Sequence, residues 1–204
     1  MSKNPVIIFE GIEASGKSSN LRFVVNYLRK KRRKFIKLRE PGGDIFSEKI
    51  RKLILNKNLN LDSKTDLMLF YAARSENFKK IIKKNHKKKI ILIDRFIDST
   101  IAYQHYGMNI DLKIIKSLNK FIVGNFKSDI TFLSLVNIKN LKKRLGKRLK
   151  LNRYDKFNSS FYSKVQSGYF KLSKNKKNYI IIDSNKKSIR EVKAIIFKNL
   201  KKII

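Results

Sequence analysis

The sequence predicts an α/β fold, a five-stranded parallel sheet flanked by helices, and three observations carry that reading. Short apolar runs alternate with longer amphipathic stretches along the whole 204-residue chain, the pattern of a parallel sheet wrapped by helices. No internal repeat and no Pro-, Gly- or Ser-rich linker interrupts the alternation, so residues 1–204 read as a single domain. The first apolar run leads directly into a glycine-containing loop and then a helical pattern.

Taken in order, strands are expected at 6–9, 35–38, 90–93, 130–136 and 179–182, where the apolar residues are rich in Ile, Val and Phe. Helices are expected over most of 17–32, 46–55, 64–84, 112–125, 138–148, 157–173 and 188–200. The only two prolines are Pro5 and Pro41, and Pro41 opens the Pro41-Gly42-Gly43 turn after the second strand. A chain of this length can remove about 70% of its unfolded surface from water.

Composition excludes several classes of chemistry. There is no Cys, hence no disulfide, thiolate nucleophile or Cys-ligated zinc. No apolar run approaches the ~18 residues of a membrane span, and no secretory signal precedes the first strand. A soluble, cytoplasmic protein is expected. The 50 Lys and Arg against 15 Asp and Glu give a formal charge of +35, which taken alone favours a polyanion partner. Lys, Asn, Ile and Phe are raised together along the chain, however, and their A/T-rich codons offer a second explanation. The run Arg29-Lys30-Lys31-Arg32-Arg33-Lys34 falls where the first helix should end, a place that suits cations. With no base-reading module in the sequence, these lysines read as solvated surface, and specific nucleic-acid binding is not expected.

The most informative segment is Gly11-Ile12-Glu13-Ala14-Ser15-Gly16-Lys17-Ser18. It matches the phosphate-binding loop pattern G-x-x-x-x-G-K-[ST] between a strand and a helix, which makes the expected architecture the three-layer P-loop NTPase fold. Glycines let the loop turn its N–H groups inward as an anion nest at the positive end of the following helix. Lys17 can reach the β- and γ-phosphates of ATP, and the Ser18 hydroxyl can ligand Mg²⁺. The apolar strand at 90–93 ends in Asp94 and Arg95. An acid after an apolar strand is common by itself. Paired with a P-loop, it is placed to hold or orient Mg²⁺ at the carboxyl edge of the sheet.

A P-loop names the donor and leaves the acceptor open. Other stretches address the acceptor: Phe9-Glu10-Gly11-Ile12-Glu13, Arg39-Glu40-Pro41-Gly42-Gly43, Leu69-Phe70-Tyr71-Ala72-Ala73-Arg74, Asp94-Arg95 and Ser99-Thr100-Ile101-Ala102-Tyr103-Gln104. With a looser likeness over 144–172, these motifs in this order resemble the bacterial thymidylate kinases, a family of P-loop nucleoside monophosphate kinases. The resemblance implies transfer of the ATP γ-phosphate to dTMP, a Mg²⁺ cofactor, a homodimer and a short mobile lid at about 146–156.

The spacing is compatible with those roles. Phe70 and Arg74, and likewise Ser99 and Tyr103, are i,i+4 pairs that share a helix face. By resemblance, Phe70 stacks on thymine and Arg74 donates to its O4, which cytosine, with an amino group there, cannot accept. Thr100 and Gln104 line the base site, and Tyr103 lies where a ribose 2′-hydroxyl would go. Arg95, with help from Arg39, holds the acceptor phosphate, and Glu13 binds the sugar 3′-hydroxyl. Phosphoryl transfer depends on placement and charge neutralisation, so the expected catalytic groups are Lys17, Arg95 and a lid arginine, Arg153 first and Arg148 second. His86 and His105 are left without a role.

Some positions depart from the family pattern. Ala14 replaces a loop glycine, which is tolerable if its backbone avoids the left-handed region. Ser128 and Leu135 stand where Pro and Asp are usual, and Asn152 stands where an acid precedes the lid arginine. The segment Asp183-Ser184-Asn185-Lys186 resembles the loop bordering adenine. The sequence is also compatible with two rival readings: another nucleotide kinase on the same scaffold, and a basic P-loop ATPase that binds nucleic acid.

Overall fold

The computed structural model describes residues 4–174 and 176–204. Strands β1 (Val6–Glu10), β2 (Phe35–Arg39), β3 (Ile90–Asp94), β4 (Ile130–Leu135) and β5 (Tyr179–Asp183) form one parallel sheet in the order β2-β3-β1-β4-β5. All five coincide with expected strands to within a residue or two at each end. The register aligns Phe9 with Asp94 and Arg39 with Asp94, so the first three strands end level with one another. Beside β1 the strand order changes direction, and the crevice beyond the carboxyl ends opens there.

The helices are α1 (Lys17–Lys30), α2 (Ile45–Leu55), α3 (Ser63–Asn77), α4 (Lys83–Asn85), α5 (Ile97–Thr100), α6 (Leu112–Val123), α7 (Ile138–Leu145), α8 (Ser159–Ser173) and α9 (Ile189–Leu200). Several starts follow from capping side chains. Asp44, Asp62, Asp111, Asn137 and Asn158 each accept from a backbone N–H in the first turn of α2, α3, α6, α7 and α8. Ser188 and Glu191 form a reciprocal capping box on α9. Each such cap contributes about 1 kcal/mol.

Strand alternation divides the core into two layers. Ile7, Phe9, Leu92 and Phe132 face α1 and α9, where Leu21, Val24, Leu28, Val192 and Ile196 close over them. Val6, Ile8, Ile91 and Ile93 face the opposite side, against Ile82 and Val123. Burial of both faces is why these strands read as continuous apolar runs. A third cluster, including Ile12, Ile54, Tyr103, Tyr154 and Tyr162, lies under the site.

The structure corrects the element map in three places. The expected 64–84 helix holds together, but a π-helical turn at Phe78–Ile82 separates α3 from α4. The expected 138–148 helix stops at Leu145, and a 3₁₀ turn, Arg153–Lys156, precedes α8. The sequence marks the helix at 97–107 only through the Ser99–Tyr103 spacing. It begins as α5 and continues as a π-helix over Ile101–Gly107, with Met108 N–H donating to the Tyr103 carbonyl at 2.9 Å. Among the described residues no helix is long and apolar enough to cross a membrane.

Candidate active site

The loop after β1 is built as an anion cradle. Gly11 has φ +135°, and a Cβ there would run into the Ser134 carbonyl oxygen on β4. Gly16 caps α1 from the left-handed region. Ala14 does not avoid that region as the sequence reading required: its φ is +53°. Its carbonyl accepts from Arg144 at 2.9 Å, so a contact with α7 holds a conformation that an L-residue adopts at a cost of about 1–3 kcal/mol.

Lys17 is buried, and its ammonium donates to the Ile12 carbonyl at 3.1 Å. Burial first, and Arg95 second, push its pKa down to about 8. A cation so desolvated gains from any anion that enters the loop. One cavity runs along this loop between Ser15, Ser18 and Arg144 and reaches Ser184 and Ile189 after β5. This is the region where the sequence resembled an adenine-bordering loop, although of residues 183–186 only Ser184 is at the wall.

A second cavity opens across the carboxyl edge of the sheet. Its walls include Glu13, Arg39, Phe70, Asp94, Arg95, Tyr103 and Gln104, seven of the expected site residues drawn from five separate segments. Lys17, Ser18 and Arg148 line both cavities. The Glu13 carboxylate accepts from Arg95 at 2.8 Å and from the Tyr103 hydroxyl. Arg95 also donates to the Tyr169 hydroxyl at 3.2 Å, and its guanidinium lies 5.0 Å from the Tyr103 ring centre. Burial opposes the Arg95 charge, but Tyr103 and Glu13 outweigh it and hold its pKa well above the usual value. Arg95 itself sits at φ +67°, a strained backbone of the kind concentrated at functional sites. Phe70 lines the cavity and packs perpendicular to Tyr154, centroids 6.0 Å apart. Arg39 is more exposed and pairs with Glu48 at 3.0 Å.

Five expected site residues are not brought to either cavity wall: Gly11 and Ile12 of the loop, Arg74, Thr100 and Arg153. Arg74 is 1% exposed and its guanidinium is engaged internally, by Glu40 at 2.7 Å, Thr100 Oγ1 at 2.8 Å, the Phe96 carbonyl at 3.1 Å and Asn119 at 3.4 Å. A buried guanidinium needs such partners, and Thr100 is occupied by the same contact. Arg153 donates to the Ile54 carbonyl at 2.9 Å and is ion-paired to the fully buried Asp66. Of the two lid arginines, only Arg148 stands at a cavity wall. Arg148 reaches both cavities while its guanidinium is steadied by Asp155 of the 3₁₀ turn. Asn152, despite replacing an acid, caps that turn together with Asp155.

Sequence reasoning missed Arg51 of the wall and two buried carboxylates, Glu10 and Asp66, that line neither cavity. Arg51 on α2 lines the second cavity and donates to the Pro41 carbonyl at 2.7 Å. Burial, with Arg39 next, lowers its pKa to about 10. No motif marks it. Glu10 at the end of β1 accepts from Phe96 N–H at 2.9 Å and Ser99 Oγ at 2.5 Å, and burial and then Asp98 push its carboxyl up to about 7. Asp66 was legible in principle, because it stands four residues before Phe70 on α3 and so shares its face.

The family model for thymidylate kinase matches residues 9–196. The chain belongs to the thymidylate kinase family. It is 40% identical to a thymidylate kinase of Thermosipho africanus over 95% of this chain and 98% of that one. A thymidylate kinase of Mycoplasma capricolum is also 40% identical, over 88% and 87% of the two chains. The crystal structure of thymidylate kinase from Ehrlichia chaffeensis superposes with a TM-score of 0.78 at 34% identity, covering 97% of this chain and 98% of that one. The thymidylate kinase P-loop fold is thus present over nearly the whole chain, and a nucleic-acid-binding ATPase is not favoured.

Proposed function

We propose that the protein transfers the γ-phosphoryl group of ATP to the 5′-phosphate of dTMP, giving dTDP. The observation that carries the proposal is the junction of two cavities at Lys17, Ser18 and Arg148. In-line transfer needs a donor and an acceptor phosphate on either side of one cationic point, and the cavities meet at such a point.

In this reading the loop amides of residues 11–18 and Lys17 hold the ATP phosphates. Arg95, Arg39 and Arg51 hold the acceptor phosphate, and Phe70 stacks on the base. Glu13, positioned by Arg95, receives the sugar 3′-hydroxyl, and the Tyr103 ring excludes a 2′-hydroxyl. Arg148, in the 146–156 lid, neutralises charge on the transferring group. Arg74 supports this wall through Glu40 and Thr100 instead of reading O4 directly. Ser18 and Asp94 offer hard oxygen donors suited to Mg²⁺, and no cluster of three acidic or His ligands exists among the described residues. The two therefore fit an ion that takes its remaining ligands from phosphates and water. Bound there, Mg²⁺ supplies neutralisation of phosphate charge.

A homodimer in the cytoplasm completes the proposal. The neighbouring helices α2, α3 and α6 leave Phe46, Leu53, Met68, Ile114 and Phe121 exposed, an apolar surface of the kind subunits cover. Light scattering on the purified protein checks the dimer. The function is tested by coupled measurement of ADP formation with dTMP, dCMP, UMP and AMP. Strong stimulation by dTMP alone is expected, and a preference for another monophosphate overturns the assignment.

A further inference from the structure

Asp66 is an unexposed carboxylate between two functional elements. Its Oδ1 accepts from Arg153 at the start of the 3₁₀ turn. Its Oδ2 accepts from the Tyr154 hydroxyl of the same turn and from the Gln104 side-chain amide at 3.3 Å. That amide also donates to the Tyr154 oxygen at 3.2 Å. The two acceptors touch each other, so they share one N–H of the Gln104 NH₂ and fix that end of the amide toward Asp66. A flipped amide would set its carbonyl oxygen against the Asp66 carboxylate, so the network allows only one orientation. In that orientation Gln104 Oε1 is buried with no hydrogen-bond partner, on a residue that lines the acceptor cavity. A buried acceptor left open in a binding wall selects for a ligand donor.

We propose that Asp66 is a positioning residue for base selection: it fixes the Gln104 amide with its oxygen toward the ring N3–H of the acceptor base, and through Arg153 and Tyr154 makes that orientation depend on the lid turn being seated. The inference rests on the dTMP kinase reading above. Thymine offers a hydrogen at N3, whereas neutral cytosine offers only a lone pair, so Gln104 Oε1 accepts the first and repels the second. The carboxylate charge is what makes the arrangement one-way. With Asn at position 66, the side chain can donate as readily as accept, and the Gln104 amide loses its bias.

The test is steady-state kinetics of Asp66→Asn with dTMP and dCMP. The kcat/KM preference for dTMP over dCMP should fall by about tenfold or more, with KM for dTMP rising and KM for ATP held within about twofold. Gln104→Met should lower the same preference, and adding Asp66→Asn to it should leave the preference where Gln104→Met put it. Tyr154→Phe keeps the ring and removes the hydroxyl. It should move the preference in the same direction by about threefold, and it decides the matter if Asp66→Asn does not fold. An unchanged preference in the folded variants, or equal loss toward both nucleotides and ATP, overturns the inference. If the unsubstituted protein itself shows no dTMP-dependent ADP formation, the kinase reading has failed instead.

Discussion

Arg95 and Glu13 meet at 2.8 Å across the top of the sheet, one from the end of β3 and one from inside the P-loop. The pair joins the P-loop to the end of the strand beside it at the wall of the second cavity, and each side chain is less than one-fifth exposed. Removing Arg95 alone leaves a carboxylate stranded beside Tyr103. Arg95→Met should therefore lower stability by about 2–4 kcal/mol and reduce kcat/KM for dTMP by about a hundredfold or more. Adding Glu13→Gln should recover most of the stability and none of the activity. Chemical denaturation and kinetics on both variants check this, and recovery of activity in the double variant counts against a role for Arg95 on the acceptor phosphate.

The two lid arginines should separate cleanly. Arg148 reaches the junction of the cavities, so Arg148→Ala is expected to lower kcat by about 10³ and, because Asp155 keeps its bonds from Asn152, to cost less stability than loss of Arg153. Arg153 is a partly buried tie to the fully buried Asp66 and to the Ile54 carbonyl. Its alanine variant should instead lose about 2–3 kcal/mol of stability and keep far more turnover. Equal kcat losses in the two variants contradict this division.

Lys17 makes nucleotide binding proton-linked. With its pKa near 8 before any anion arrives, the lysine is mostly charged at pH 7 and increasingly neutral above pH 8. A triphosphate raises that pKa, so binding above pH 8 takes up a proton and affinity for ATP falls as pH rises. Calorimetry at pH 8.5 in two buffers of different ionisation enthalpy should show this uptake. Buffer-independent heats count against it.

Glu10 should give the folded protein a distinct pH dependence. Its folded pKa of about 7 lies above the ordinary 4.5, so between those values the native state holds a proton that the unfolded chain has released. Stability then falls as pH rises from about 4.5 to 7, by on the order of 3 kcal/mol. Glu10→Gln removes the titrating group and should flatten that part of the profile. Urea unfolding from pH 5 to 8 provides the comparison; parallel profiles for the two proteins are the contrary result.

The strands and the P-loop were legible because each rests on local pattern. An apolar run of five residues between turn signals, or a glycine-lysine-serine spacing before a helix, needs no distant partner to be recognised. The helix at 97–107 was less legible. Its π-helical stretch does not follow the 3.6-residue period, so hydrophobic spacing marks it poorly. Arg51 carried no signal at all, because what makes it part of the site is the Pro41 carbonyl and the shape of the cavity above it.

The sequence by itself determined the architecture, the phosphate cradle and the set of segments that converge on the site. The tertiary structure alone decided how individual side chains are used. Arg74, Arg148 and Arg153 are chemically the same fork of donors. One is saturated by Glu40 and its neighbours, one is held by Asp66, and one reaches the junction of two cavities. The reason is that a guanidinium takes its role from whichever acceptors the fold brings within hydrogen-bond distance, and those acceptors lie far away along the chain.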